Sequence, residues 1–203
     1  MREAIKLNLG CGGNLLPGYV NVDKVGEPDL RHDLEVFPWP FDDDSVGEVV
    51  LNHVLEHLGQ TTDTYLGIMR ELYRVCRGGA RIRIHVPHPR HDDFINDPTH
   101  VRAVTPDSLL LFSQRKNLEW VRRRCANSTL GLSLGVDFEL ADFKLELDPA
   151  WGERLQKGEI DQNVLFDAVR RYNNVVKEFR MELRVVKPPT SQTDPGSNPV
   201  PGP

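Results

Sequence analysis

The stretch LNLGCGGNLLPGYVNVD, from Leu7 to Asp23, decides how the rest of the chain is interpreted. It places a glycine-rich turn directly after a short strand and an acidic residue at the end of the next strand. Glycines let the backbone of such a turn approach a ligand closely, and a carboxylate at this place can accept hydrogen bonds from both hydroxyls of a ribose. The stretch therefore predicts the first two strands of an α/β sheet beside a ribose-containing ligand.

A dinucleotide fingerprint fits this stretch poorly. In the pattern G-x-G-x-x-G the third glycine would fall at Leu15, and the acid should follow about 20 residues later, whereas Asp23 comes much sooner. Only residues 10–19 separate the two strands, which leaves no room for a full helix in the first crossover.

The rest of the chain alternates strands and helices early and becomes rich in strands late. Apolar residues recur at helical spacing over residues 65–75, with Gly78 and Gly79 as the expected stop. We predict strands over residues 5–10, 19–23, 46–52, 80–87, 138–148 and 175–186, with a helical segment over 160–172. The fold class expected is α/β: a Rossmann-like, doubly wound, mostly parallel sheet with an antiparallel edge strand pair. Because several strands alternate apolar with polar residues, one sheet face should be thinly covered.

Composition limits the kinds of partner. A length of 203 residues predicts one domain, residues 1–187, followed by a disordered tail rich in proline, glycine and serine, residues 188–203. The net charge of -5 argues against nucleic acid, although residues 122–124 are all arginine. Three scattered cysteines indicate reduced thiols in the cytoplasm, and no segment predicts a membrane span. The thinly covered sheet face could serve a homodimer or simply meet solvent.

Four segments together resemble the class I S-adenosylmethionine-dependent methyltransferases, in particular a short variant of the type 11 kind. They are the LGCG turn from Leu9 to Gly12, Asp23, FPWPFDDDSVGEVVLNHVLEHL over residues 37–58 and ELYRVCRGG over residues 71–79. The order and spacing match over about residues 5–88. The short first crossover departs from the family, which usually has a helix whose N-terminus lies near the cofactor carboxylate.

The resemblance implies S-adenosyl-L-methionine as the cofactor and assigns residues to its parts. The turn beneath the methionine part would be Gly10, Cys11 and Gly12, and the ribose would be held by Asp23. Residues Asp33 and Leu34 match the position of the adenine contacts, and Asn52 and His53 would lie beside the methionine and the methyl group.

The string HVLEHL, residues 53–58, allows other interpretations. His53, Glu56 and His57 fit the H-x-x-E-H pattern of an inverted zinc peptidase, in which two histidines one helical turn apart hold the metal. We favour the methyltransferase interpretation, with Glu56 and His57 capping or pairing with neighbours. A zinc-dependent hydrolase stays an alternative, as does a catalytically silent cofactor-binding module.

The segment over residues 85–109 is rich in histidine, aspartate and proline and should face the substrate. Within it, His88, Asp97 and His100 are the candidate catalytic residues, because histidine titrates near neutrality and a carboxylate can orient it as a proton acceptor. With His91, Asp92 and Asp93, these three residues could also hold a metal ion; no helical pair or C-x-x-C pattern anchors one, so we favour a polar substrate-facing loop without a metal. The function expected is methyl transfer to an O or N atom of a small-molecule or sugar-like acceptor.

Overall fold

The structure is a computed structural model that describes residues 4–188. The predicted tail lies outside the described residues apart from Pro188. Seven strands form one sheet: β1 Ile5–Leu9, β2 Val20–Asp23, β3 Leu30–Arg31, β4 Val46–Asn52, β5 Cys76–Pro87, β6 Phe138–Leu147 and β7 Val176–Val185. A single 3-10 turn spans Leu55–His57, and the α-helices are α1 Thr62–Val75, α2 Asp92–Ile95, α3 Pro106–Leu110, α4 Gln114–Arg123, α5 Leu130–Leu134, α6 Pro149–Gln156 and α7 Gln162–Arg171.

The strands follow the order β3-β2-β1-β4-β5-β7-β6 across the sheet. The five strands from β3 to β5 are parallel to their neighbours, whereas β7 is antiparallel to both β5 and β6. This arrangement confirms the predicted α/β class and the antiparallel edge strand pair. It also brings the carboxyl ends of β1, β2 and β4 to one edge of the sheet.

Helix α1 shows how apolar spacing builds the core. The Thr61 side chain accepts a hydrogen bond from the Thr64 amide and so caps the first turn. Ile68, Met69 and Leu72 lie on one face and are fully buried against the sheet.

The end of α1 corrects one expectation. Gly78 and Gly79 do not stop the helix, because α1 ends at Val75 and β5 begins at the next residue. The two glycines lie inside β5, where the pairing with β4 shifts register between Val46 and Glu48. An irregular strand of this kind accommodates the positive φ of Gly79.

The sheet buries one face and exposes much of the other. In β5, Ile82 and Ile84 are fully buried, whereas the alternate residues Arg81 and Arg83 are exposed. In β7 the pattern continues, with Leu183 buried. The burial pattern agrees with the expectation of a thinly covered face.

Two asparagines fix the first crossover, which contains no helix. Asn8 and Asn21 are both buried, and Asn8 Nδ2 donates hydrogen bonds of 2.8 Å to Asn21 Oδ1 and to the Asn14 carbonyl. Asn21 Oδ1 also accepts from the Leu16 amide. Because these buried amides are satisfied, they hold residues 10–19 in place without a helix.

Across residues 4–188, none of the helices has the length and apolar character needed to cross a membrane.

Candidate functional site

An open cleft of about 240 Å³ lies at the carboxyl ends of the parallel strands. In open α/β sheets ligands bind at such strand ends. We call it the strand-end cleft; it is lined by Gly10, Asp23, Lys24, His32, Asp33, Leu34, Glu35, His53, Val54, His57 and Leu58. Five of the eight residues expected to bind the cofactor are in this set: Gly10, Asp23, Asp33, Leu34 and His53.

The glycine turn after β1 forms one wall of the cleft. Gly10 has a φ of 64°, and a Cβ added there would come within 2.5 Å of Val54 Cγ1, so only glycine fits without strain. Cys11 is buried and its amide donates to the Val22 carbonyl, which makes its part in the turn a backbone one. Burial, reinforced by the charge of Asp23, raises the pKa of the Cys11 thiol.

Asp23 ends β2 and points its carboxylate toward the turn. Its Oδ2 accepts a hydrogen bond of 2.8 Å from the Gly12 amide, and its Oδ1 accepts one of 3.0 Å from the Val25 amide. An ionised carboxylate offers about four lone-pair positions, so both oxygens can accept further hydrogen bonds from a ligand. Gly12 itself supports Asp23 and is outside the residues that line the cleft.

The segment after β3 forms the opposite wall. Asp33 Oδ2 lies 3.6 Å from Lys24 Nζ, and both residues line the cleft. Leu34 is nearly buried, and its carbonyl accepts a hydrogen bond from Nε1 of Trp39, which lies in the core. This wall is therefore anchored directly to the core.

His53 follows β4 and sits between two acidic residues. Its Nε2 lies 3.1 Å from Glu178 Oε2, and its Nδ1 lies 3.4 Å from Glu56 Oε1. The Glu56 carboxylate outweighs partial burial and, with Glu178, raises the pKa of His53 above its ordinary value. Asn52 is exposed, lies 3.2 Å from His85 Nδ1, and is outside the lining set.

Glu178 is a site residue that sequence reasoning missed. It comes from β7, 125 residues after His53, and no local motif connects the two positions. Glu178 comes close to His53 only because β7 pairs with β5, and the sequence pattern does not specify that pairing.

The zinc peptidase geometry is not formed by His53 and His57. The helical turn covers only Leu55–His57, and His53 precedes it with a φ of 55°. The two histidines are therefore not on successive turns of one helix, as the H-x-x-E-H pattern requires.

Glu56 and His57 nevertheless occupy an unusual environment. Glu56 is 0% exposed, and neither carboxylate oxygen has a hydrogen-bond partner, although Oε1 lies 3.4 Å from His53 Nδ1. The Glu56 carbonyl accepts from the amides of Val101 and Arg102, which holds the residue in place. Of the expected capping or pairing, the described residues show pairing: Glu56 lies against His53, and His57 Nδ1 lies 2.9 Å from Thr99 Oγ1.

Two of the three candidate catalytic residues meet beside the cleft. The ring of His100 lies 4.5 Å from that of His57, which lines the cleft. Asp97 Oδ2 is 3.7 Å from His100 Nε2, and Asp97 Oδ1 accepts a hydrogen bond from the Thr99 hydroxyl. Sequence spacing within the loop thus brings this pair together.

His88 stands apart from that pair. Its Nδ1 accepts a hydrogen bond from the Arg90 amide, and its ring lies 4.9 Å from that of Phe179. Burial, aided by the nearby charge of Arg90, lowers the pKa of His88 to about 4. The imidazole is therefore neutral at neutral pH.

Comparison with known proteins identifies the fold. No family model matches the chain, and no curated protein sequence does. Among solved structures, a SAM-dependent methyltransferase from Archaeoglobus fulgidus is similar with a TM-score of 0.59 and 17% identity, covering 89% of this chain and 86% of that one. A SAM-dependent methyltransferase from Methanosarcina mazei gives 0.52 and 13%, covering 93% and 95%.

A third similar structure was solved with ligands. It is the 1,6-didemethyltoxoflavin-N1-methyltransferase of Burkholderia thailandensis with bound 1,6-didemethyltoxoflavin and S-adenosylhomocysteine. The TM-score is 0.50 and the identity 15%, covering 92% of this chain and 72% of that one. The chain therefore has the fold of the class I S-adenosylmethionine-dependent methyltransferases, as the sequence resemblance indicated.

Proposed function

We propose that the protein binds S-adenosyl-L-methionine in the strand-end cleft and transfers its methyl group to an O or N atom of a small-molecule or sugar-like acceptor. The observation that carries the proposal is the carboxylate of Asp23 at the end of β2, beside the glycine turn at Gly10. Each of its oxygens accepts one backbone hydrogen bond and keeps a lone pair for a ligand. Bound there, the cofactor would supply an electrophilic methyl group.

The residues present fit such a ligand. Asp23 can take the ribose hydroxyls, and the Gly10 turn admits backbone approach because no Cβ fills the space. Asp33 and Leu34 form a fixed wall for the adenine. Asn52, Cys11 and Gly12 would act through the turn and strand backbone rather than as lining side chains.

His53 would act at the reacting end of the cleft. The carboxylates of Glu56 and Glu178 raise the pKa of His53 above its ordinary value and fix the orientation of the ring. Neither ring nitrogen is free to accept a proton from the acceptor, because each one faces a carboxylate. His53 is therefore a positioning group in this proposal, and the proton acceptor must be sought elsewhere.

The proposed proton acceptor is His100 with Asp97, and His88 is the third candidate. His100 Nδ1 lies 2.9 Å from the Phe94 carbonyl, which can only accept, so the neutral ring keeps its lone pair on Nε2. Asp97 Oδ2 lies 3.7 Å from the same Nε2 and would stabilise the positive charge of the ring once it has accepted a proton. The low pKa of His88 makes it a weak base, which places it behind this pair.

Calorimetric titration with S-adenosylmethionine and S-adenosylhomocysteine tests the proposal. We expect micromolar binding by the wild type and a loss of about tenfold or more in Asp23→Ala, because hydrogen bonds to a charged group are worth about 1.5–3 kcal/mol. Glu27→Ala, an exposed acidic residue on the same connection, is the matched control and should bind like the wild type. Circular dichroism checks that each variant is folded. A folded wild type that binds neither compound would refute the proposal.

The acceptor class has its own test. The toxoflavin enzyme of similar fold was solved with a small heterocycle, which supports a small-molecule acceptor here, and the net charge of -5 disfavours nucleic acid. Incubation with hydroxylated and amine compounds should release S-adenosylhomocysteine with at least one of them. Cofactor binding without any turnover would favour the silent binding module instead. A cytoplasmic location is part of the same proposal, because the three cysteines are free.

A further inference from the structure

Three potential metal ligands converge beneath the strand-end cleft. They are Glu56, His57 and His100; each offers one ligand atom, and the three atoms lie within 4.8 Å of one another. Residues 56 and 57 come from the turn after β4, and His100 comes from the loop that carries the candidate catalytic residues. His57 also lines the cleft, so the cluster opens toward the proposed ligand.

Hydrogen bonds orient both imidazoles in the way that metal ligands require. His57 Nδ1 lies 2.9 Å from Thr99 Oγ1, whose own proton is donated to Asp97 Oδ1, so His57 must be the donor. His100 Nδ1 likewise donates to the Phe94 carbonyl. In the neutral rings both Nε2 atoms therefore keep a free lone pair. Metal-binding histidines usually donate their other ring nitrogen in this manner.

Glu56 is the second, independent observation. A carboxylate that is 0% exposed should be hydrogen-bonded or paired, yet both of its oxygens lack a hydrogen-bond partner. Its nearest charged neighbour is His53, at 3.4 Å and half exposed. A cation bound among the three side chains would satisfy the buried carboxylate.

We infer that Glu56, His57 and His100 form a binding site for one divalent transition-metal ion, such as zinc or cobalt, at the edge of the strand-end cleft. Two imidazoles and one carboxylate suit such ions better than magnesium or calcium, which prefer oxygen ligands alone. Three protein ligands leave at least one open position. Metal binding can be measured without methyl transfer.

To hold an ion, the ligand atoms of Glu56, His57 and His100 must move closer together. Ligand atoms at about 2.0–2.2 Å from a tetrahedral ion are about 3.4 Å apart, so atoms that now lie within 4.8 Å of one another must approach by up to about 1.4 Å. The open position would take an oxygen atom of the acceptor, a role that rests on the proposed function. Metal binding would also occupy the His100 lone pair, so the metal-loaded protein would need another proton acceptor.

Direct metal binding is the first test. Protein treated with EDTA and then titrated calorimetrically with zinc chloride should bind one ion per chain. His57→Ala, His100→Ala and Glu56→Gln should each weaken binding by about tenfold or more. His88→Gln, which alters a histidine of the same loop outside the cluster, should bind zinc like the wild type.

Thermal unfolding keeps the test meaningful if the alanine variants fold poorly. In EDTA, Glu56→Gln should unfold close to the wild-type temperature, because the carboxylate has no hydrogen-bond partner and its one ion-pair contact, 3.4 Å, is with the half-exposed His53. Zinc at about one hundred times the wild-type Kd should raise the wild-type Tm by about 5–10 °C and the Tm of Glu56→Gln by about half as much or less.

The two proposals fail in distinguishable ways. A wild type that binds S-adenosylmethionine but no zinc would overturn the metal site alone, as would equal zinc affinity in the three cluster variants. A Glu56→Gln variant that is much less stable in EDTA would also overturn it, since the carboxylate would then have a purely structural partner. Zinc binding without cofactor binding would instead refute the methyltransferase proposal.

Discussion

Gly10 shows how one missing methyl group shapes the site. The residue combines a φ of 64° with a side-chain position that Val54 already fills, so two separate constraints exclude any other amino acid. Gly13, three residues further on, has neither constraint: its φ is not in the left-handed region and nothing lies within 4 Å of its added Cβ. The two glycines form a matched pair for substitution.

We expect Gly10→Ala to lower the free energy of unfolding by about 2–4 kcal/mol, through backbone strain and the contact with Val54. Gly13→Ala should change it by less than about 0.5 kcal/mol. Urea denaturation of both variants measures the difference. Equal stability of the two would show that Val54 moves aside easily and that the turn tolerates a side chain.

At this scale the sequence predicts residues whose roles are local. Gly10 and Asp23 could be identified because a glycine after a strand and an acid after the next carry a physical reason in their spacing. Glu178 and the buried carboxylate of Glu56 could not, since the first depends on strand pairing and the second on which atoms remain unbonded after folding.

Glu71 and Arg74 form an ion pair on helix α1, and hydrogen bonds from this pair hold the loop before β4. Glu71 accepts hydrogen bonds from Arg74 and, at 2.6 Å, from the Trp39 amide. Arg74 in turn donates to the carbonyls of Trp39 and Phe41. Burial raises the pKa of Glu71, but these donors outweigh it and hold the pKa below its ordinary value.

Glu71→Gln should reduce the free energy of unfolding by about 2–3 kcal/mol at pH 7. This is below the range for fully buried pairs, because Arg74 is 27% exposed. A carboxyl group with a lowered pKa in the folded state stabilises the protein above its unfolded pKa and loses that contribution as the pH falls below it. The difference between wild type and variant should therefore shrink from pH 7 to pH 3.

Urea denaturation at both pH values measures this difference, with Asp63→Asn in the exposed first turn of α1 as the control. If the free energy of unfolding of Glu71→Gln differs from that of the wild type by as much at pH 3 as at pH 7, the glutamine destabilises the fold by its shape and not by its missing charge.

Elements with a strong pattern were predictable, and their ends were less so. The apolar spacing of α1 identified the helix, but Gly78 and Gly79 suggested a stop that the direct passage into β5 removes. Glycine is as compatible with an irregular strand as with a helix end, so only the pairing with β4 distinguishes the two. The two-residue strand β3 was missed because so short a segment has no periodicity.

For the molecule as a whole, the last described residues matter to stability. Lys187 Nζ lies 2.5 Å from Asp44 Oδ1 and over the ring of Tyr73, whose hydroxyl donates to the Val186 carbonyl. Residues 186 and 187 thus tie the end of the predicted domain to α1.

A chain ending at Pro188 should keep the full-length Tm within about 1 °C, whereas one ending at Val185 should lose about 4–8 °C, as expected for about 2 kcal/mol in a domain of this size. Differential scanning calorimetry compares the three chains. A large loss on removal of residues 189–203 alone would place the domain boundary further along the chain.

On the exposed face of the sheet, charged and polar side chains pair with one another. Glu48 lies 3.5 Å from Lys6, accepts a hydrogen bond from Tyr19 and pairs with Arg83. These contacts suit a surface that meets solvent, and the homodimer stays a prediction that sedimentation velocity can test.

The helix-free first crossover has a consequence for ligand discrimination. Residues 10–19 form no helix, so the amino-acid end of the proposed ligand would gain no help there from a helix dipole. In the proposed complex, most of the binding energy would then come from the nucleoside half, through Asp23 and the wall at Asp33. Under the proposed function, such a cleft should distinguish poorly between a full-length ligand and a fragment truncated at the amino-acid end.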